Sequence, residues 1–362
     1  MSVATTRRVR SVALGLVLGL VVGLGVSAIT PAGASAPAQD GAGTLRLGYL
    51  DNVTHAPALV GLESKLFEKA LGDTKLETAI FNAGPAAVTA LLSDSIDATY
   101  IGPNPTVSAF QQSDGAIQVI SGVASGGAYL VVKPDIKNAK NLKGTTIATP
   151  QLGNTQDVAL RSYLKKKGLA TDTAGGGDVS ILPQENAVTL RAFQDDQIQG
   201  AWVPEPWATR LVDEGGGKIL VDEAGLWPDG RYVTTDLIVR KDFLNDNPDI
   251  VQALLTANVE AINLINDATT RADAEAQVAA RIEADTGKPI APELVTASFD
   301  HILFTPDPIA SSLVKSAKAA AGLGLPGAVA LTKADVKALY QLELLNKVLK
   351  RDGQPTVSAS AT

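Results

Sequence analysis

Apolar and polar residues follow two rhythms along this chain, and the rhythms take turns. A period-two stretch at 45–49 predicts a strand, and Pro57 opens an amphipathic stretch through Phe67 that predicts a helix. Residues 76–81 alternate as a strand, and Ala83-Gly84-Pro85 starts a helix through Leu92. A strand at 98–101 ends at Gly102-Pro103-Asn104-Pro105, with a short helix over 106–111. Two apolar, β-branched strands follow at 117–123 and 128–132. Strand and helix alternate throughout, which is the signature of an α/β sheet.

A second run repeats the scheme. Residues 145–149 predict a strand bounded by Gly144 and Pro150, and Asn154 or Thr155 can cap a helix over 156–167, with Asp157 in its first turn. Strands at 179–182, 200–203, 218–221 and 233–239 follow, with helices over 185–193 and 206–214 between them. Two segments match in layout: Asp94-Ser95-Ile96-Asp97-Ala98-Thr99-Tyr100-Ile101 and Asp196-Gln197-Ile198-Gln199-Gly200-Ala201-Trp202-Val203. Each follows an amphipathic helix and ends in a proline-bearing loop. Two units built alike suggest two lobes facing one another. Beyond Lys241 the pattern turns helical, over 248–265, 272–286, 292–299, 309–322 and 333–350. Gln354 to Thr362 is small and polar and is expected to fray.

Composition narrows the chemistry. The 362 residues, 45% hydrophobic, suffice for two lobes of ordinary size. Cysteine is absent, so there is no disulfide, no thiolate nucleophile and no lipid-bearing cysteine. His55 and His301 are the only histidines, and no HExxH, GxSxG or P-loop pattern occurs. No cofactor or metal is implied, and the missing catalytic kit favours binding over catalysis.

Residues 1–36 form a separate object. Arg7, Arg8 and Arg10 precede an apolar run over 12–26, followed by the A-x-A candidates Ala32-Gly33-Ala34 and Ala34-Ser35-Ala36. This describes a secretory signal peptide, the alternative being an uncleaved membrane anchor. The Arg7-Arg8 pair fits a twin-arginine signal poorly. The chain is at −7 overall; without the three leader arginines it is at −10. That argues against nucleic acid or an anionic membrane as partner. An anion would have to be held by local dipoles and a few donors.

Ligands of open α/β sheets sit beyond the carboxyl ends of the strands. The loops at those ends, 49–55, 82–85, 102–104, 151–155 and 202–207, each lead into an expected helix N-terminus, where N–H groups and the dipole favour an anion. His55, Gly102, Asn104, Gln151, Asn154 and Thr155 are the candidate contacts. Asn154 is equally suited to capping, and His55 to capping or packing. Trp202 and Trp207 flank the last loop, as wall or as core. Glu205 is a carboxylate in an expected anion cleft: it either pairs with Arg210 or takes a cationic or hydroxyl end of the ligand.

At these residues the chain resembles the solute-binding proteins of ABC importers for aliphatic sulfonates, taurine and nitrate, a group extending to thiamine-pyrimidine-like members. The resemblance runs through Leu47-Gly48-Tyr49, Thr54-His55-Ala56-Pro57, Phe81-Asn82-Ala83-Gly84-Pro85 and Gly102-Pro103-Asn104-Pro105, then residues 142–157, 198–207 and 236–243. It covers nearly all of the chain after the leader and is strongest to sulfonate-type members. It implies an α/β, two-lobed periplasmic-binding-protein fold of type II, each lobe a mostly parallel sheet with flanking helices, hinged by two crossing strands. Lobe 1 would span 44–128 and 232–350, lobe 2 129–231, with a flexible tail at 351–362.

The resemblance also implies head-group contacts from His55, Gly102, Asn104, Asn154, Thr155, Glu205 and Trp207. It implies a monomer, not an enzyme, that delivers a small anion, an aliphatic sulfonate foremost, to a membrane permease and ATPase. Nitrate, bicarbonate or a thiamine-pyrimidine precursor are the alternatives. Such a protein is exported: periplasmic, cell-envelope or secreted. Gram-positive relatives often carry a lipobox cysteine, which is missing here. A pyrimidine-synthesising enzyme on a related fold depends on a cysteine-rich segment, also missing.

Overall fold

Strand pairing sorts the chain into two sheets. The computed structural model describes residues 43–360; the expected leader lies outside the described residues. The strands are β1 (Thr44–Tyr49), β2 (Lys75–Ile80), β3 (Ala98–Ile101), β4 (Ile117–Gly126), β5 (Ala128–Val132), β6 (Thr146–Thr149), β7 (Ser180–Pro183), β8 (Gly200–Pro204), β9 (Lys218–Asp222), β10 (Val233–Arg240) and β11 (Ile302–Phe304). One sheet runs β11-β4-β10-β3-β1-β2, the other β7-β6-β8-β5-β9. This is the α/β, two-lobed periplasmic-binding-protein fold.

The sheets are mixed, which corrects the expectation of mostly parallel ones. β1 is parallel to β2 and β3, and β6 to β7 and β8. β10 is antiparallel to β3 and β4, and β5 to β8 and β9. The reason lies in the crossings. The chain passes between sheets at β4–β5 and again at β9–β10, so β5 and β10 enter their sheets from the other lobe, reversed. The first crossing is tight. Gly126 and Gly127 hold φ of 88° and 71°, a left-handed pair that side chains disfavour. A Cβ on Gly127 would stand 2.5 Å from Ile302 Cγ1.

Alternation along β5 builds the second lobe's interior on both faces. Tyr129 and Val131 join Leu190, Phe193 and Leu211 on one side. Leu130 and Val132 join Ile147, Leu160 and Trp202 on the other. The first lobe has one larger core, into which Pro248–Asn266 sends Val251, Leu254, Leu255 and Ile262. The two matched segments fold alike: Asp94 and Asp196 both turn the chain at φ 56° and 57° before β3 and β8.

Three boundaries differ from the periodicity. The helix expected over 57–67 breaks at Lys65, which takes φ 55°, into Ala56–Glu63 and Leu66–Leu71. The helix expected over 333–350 breaks at Tyr340, which bridges Val119, while Gln341 N donates to Val119 O at 2.9 Å. Its capping box at Thr332 and Asp335 is present. In the tail expected to fray over 354–362, whose last two residues lie outside the described ones, Gln354 and Val357 are held: Asn346 exchanges two side-chain hydrogen bonds with the Val357 backbone, and Gln354 Nε2 donates to Asn263 Oδ1 at 2.8 Å.

Candidate functional site

The loop between β6 and the helix Thr155–Lys166 shows how the sequence builds the site. Asp157, fully buried, reaches back to fasten the loop. It accepts from Thr149 Oγ1 at 3.1 Å, from Gly153 N at 3.0 Å and from Arg161 Nε at 2.9 Å. Asn154 caps the helix, its Oδ1 accepting from Thr155 N at 2.9 Å. With the backbone so fixed, the Thr155 hydroxyl is left buried and without a hydrogen-bond partner.

That hydroxyl lies on the wall of a small cavity of about 20 Å³ between the lobes. From the first lobe come Asn52, Thr54, His55, Gly84, Gly102 and Thr234; from the second, Pro150, Asn154, Thr155, Gln156, Asn186 and Pro204. Five helices begin at this wall: Ala56–Glu63, Gly84–Leu92, Pro103–Gln112, Thr155–Lys166 and Asn186–Gln194. Each brings roughly half a positive charge at its N-terminus. Among the described residues the wall carries no Asp, Glu, Lys or Arg. His55 is neutral there, because burial pushes its pKa down to about 3. Its Nδ1 faces the Leu50 N–H at 3.4 Å, so the remaining ring proton sits on Nε2. The site is a neutral nest of donors and helix ends. Asn186 Oδ1 also lacks a partner, and an amide flip would present Nδ2 in its place.

A chamber of about 480 Å³ opens from the cavity, sharing Leu50, Asn52, Asn82 and Asn186 with it. Phe81, Trp207 and Ile290 are among its apolar lining, beside charged residues such as Arg191, Arg210 and Lys288. Trp207 Nε1 donates to Asn52 Oδ1 at 3.0 Å, and Asn82 Nδ2 donates to Glu185 Oε1 at 2.7 Å; both bonds join the lobes across the mouth. A hollow of about 540 Å³ between the helices Thr155–Lys166 and Ala310–Gly322 shares only Thr155 with the cavity.

The structure brings His55, Gly102, Asn154 and Thr155 together as the sequence suggested, and separates the other four candidates. Asn104 is turned to the helix Ala310–Gly322, where its Oδ1 accepts from Ser316 Oγ at 2.7 Å. Gln151 is half-buried outside the cavity wall; its carbonyl accepts from Asn154 N at 3.1 Å. Trp207 lies at the chamber, with the Arg210 guanidinium 4.9 Å above its ring.

Glu205 is fully buried and faces away. Its carboxylate accepts from Thr209 N and Thr209 Oγ1, both at 3.0 Å, and meets His301 Nδ1 at 2.8 Å. Arg210, considered as its partner, pairs instead with Glu214 at 2.7 Å. The bond to Glu205 raises the His301 pKa against partial desolvation. Trp202 is core, donating to Glu223 Oε2 at 2.8 Å. Burial first, against the two Trp N–H bonds, lifts Glu223 to about 7.

Sequence reasoning named the loops holding Asn52, Thr54 and Gly84 but not these residues. Asn186 follows β7 in the same position as the other helix starts, so the strand-end rule would have found it. Thr234 sits at the entry of β10, where that rule is silent. Among the described residues no group of three or more His, Cys, Asp or Glu side chains is placed to hold a metal ion.

Comparison with known proteins places this geometry. Residues 38–282 match the sequence model of the NMT1-like family. The taurine-binding periplasmic protein of Escherichia coli K12 is 30% identical over 208 residues, covering 57% of this chain and 62% of that protein. The alkanesulfonate-binding protein SsuA of Xanthomonas axonopodis pv. citri superposes with a TM-score of 0.68 at 21% identity, covering 83% of this chain and 99% of that one. The periplasmic nitrate-binding protein NrtA of Synechocystis PCC 6803 gives 0.72 at 18% identity, covering 87% and 92%.

Proposed function

The chain belongs to the NMT1-like family, and from that premise we propose that it is an extracytoplasmic solute-binding protein whose interlobe cavity takes the anionic head of a small ligand, an aliphatic sulfonate. One observation carries the reading. Five helix N-termini converge on a cavity whose walls, among the described residues, hold no charged side chain. Only an anion gains from that arrangement, since a cation would face five positive dipole ends. The Thr155 hydroxyl, His55 Nε2–H and the asparagine amides are the head-group donors.

The chamber beside the cavity separates the ligands. Nitrate and bicarbonate have a head and no tail, and would leave the Phe81 and Trp207 surface uncovered. A sulfonate with a short carbon chain uses both spaces. The cavity of about 20 Å³ holds roughly one water-sized group, so a sulfonate head is accommodated only with the lobes set further apart than they are here. The relatives named for taurine, alkanesulfonate and nitrate support this class. They are named as binding proteins, which supports capture without catalysis and delivery to an ABC permease with its ATPase.

A thermal-shift and calorimetric panel of ethanesulfonate, 2-aminoethanesulfonate, nitrate and bicarbonate tests the reading. A sulfonate at a hundred times its Kd adds about 2.7 kcal/mol to stability. Stabilisation by nitrate alone, or by no anion, overturns it.

A further inference from the structure

The hollow of about 540 Å³ between the helices Thr155–Lys166 and Ala310–Gly322 is a separate space. It meets the interlobe cavity at Thr155 alone and shares no residue with the chamber. Its volume falls within the roughly 300–1,000 Å³ of small-molecule pockets. Val158, Ala159, Leu226, Trp227 and Leu323 give it an apolar floor, and Leu226 keeps 38% of its surface exposed there. Four lysines, Lys165, Lys166, Lys315 and Lys318, stand around that floor in a chain whose formal charge is −7.

These lysines lack counter-ions. Among the described residues the lysine salt bridges lie elsewhere, at Lys69, Lys75, Lys133, Lys143 and Lys347. Lys165 Nζ donates to the Gly322 carbonyl at 2.7 Å, and Lys315 Nζ stands 4.5 Å from the centroid of the Trp227 ring. Desolvation first, then repulsion from Lys166, lowers the Lys315 pKa. Glu223, the acid in the lining, is already committed: its carboxylate accepts from Trp202 Nε1 at 2.8 Å and from Trp227 Nε1 at 3.4 Å. Ser162 Oγ, also in the lining, is buried without a hydrogen-bond partner. Apolar surface left to water and cations short of an anion are both satisfied by one kind of molecule, an apolar body with one anionic head. A cation would meet the lysines, and a sugar would leave the floor uncovered. We propose that this hollow is a second ligand site, for a soluble amphipathic monocarboxylate. Its apolar body lies against Leu226, Trp227 and Leu323, and its carboxylate meets Lys166 and Lys315. The site does not depend on what the interlobe cavity binds.

Calorimetry on the full-length protein is the test, with decanoate as the probe and decanol as the same chain without the charge. Ammonium groups at an open rim predict that wild type binds decanoate about fivefold more tightly than decanol. In the double variant Lys166→Gln, Lys315→Gln the ratio falls to about one. Ala159→Phe places a ring in the hollow and should weaken decanoate binding at least about tenfold, with a melting curve confirming that the variant folds. Equal wild-type affinities for decanoate and decanol overturn the proposal, as does decanoate binding that survives these substitutions. Binding to phosphatidylglycerol vesicles with none to decanoate also overturns it, and assigns the lysines to a membrane surface.

Discussion

A single methyl group at Gly102 should hold the two lobes apart. Gly102 is the N-cap of Pro103–Gln112 in the first lobe, with φ −74° and ψ 159°, which alanine adopts without strain. The perturbation is therefore purely steric. A Cβ there would stand 2.4 Å from Thr155 Oγ1 in the second lobe and 3.5 Å from Thr155 Cβ. Relief takes about 0.6 Å of movement or more; Thr155 has two χ1 wells in a helix and can turn its hydroxyl aside only at a rotamer cost, and what it does not absorb passes to the contact between lobes. Overpacking of this kind costs about 1–3 kcal/mol. The cost falls on closure, so it appears in ligand binding as a Kd raised about 5- to 150-fold. Calorimetry with ethanesulfonate measures it, and solution scattering without ligand should show a larger radius of gyration. A Kd and a radius both unchanged in Gly102→Ala would refute the argument that this contact closes the cleft.

Other outcomes follow from the same geometry. His301 is raised by Glu205, so their link is fully present below the ordinary histidine pKa of about 6.5 and is lost as pH rises through the raised folded value. Asp51 and Glu223, raised to about 7, lose stability in the same direction. The melting temperature should fall from pH 6 to pH 9, with a shallower fall in His301→Gln; an identical slope in that variant would exclude the pair as a contributor. Asp157→Ala leaves Arg161 buried without its partner and frees the 149–153 loop, and should cost about 3–5 kcal/mol in urea unfolding. Trp207→Phe deletes the bond to Asn52 across the mouth and should weaken sulfonate binding by about 1 kcal/mol with little change in melting temperature; an equal loss in both would assign the bond to the fold rather than to closure.

What was legible in the sequence was local. Strands with period two, capped helices and the matched segments at Asp94 and Asp196 gave the two α/β units, and helix starts at strand ends located the cavity. What stayed hidden depends on distant partners. Glu205 looked exposed to a ligand because its partner His301 is 96 residues away. Its bond to Thr209, four residues on, has the spacing of a helix cap and is the one local sign of this commitment. Asn104 is claimed by Ser316, 212 residues on. The mixed sheets were hidden because periodicity records that a strand forms, not the direction from which the chain enters it.

The helix Ala310–Gly322 gives the molecule its bearing. It rests on Pro103–Gln112 in the first lobe and on Thr155–Lys166 in the second. Ala319, Ala320 and Leu323 lie with Val158, and only Lys165 Nζ to the Gly322 carbonyl, at 2.7 Å, pins the surface from its exposed rim. Ala319 and Ala320 have no rotamer to change, so the repacking that opening requires along this seam falls on Val158, Leu323 and Leu325. The polar contacts that would have to break for the lobes to part lie at the cavity mouth, Trp207 Nε1 to Asn52 Oδ1 and Asn82 Nδ2 to Glu185 Oε1. A hinge of this kind would be set by its lock rather than by its pin.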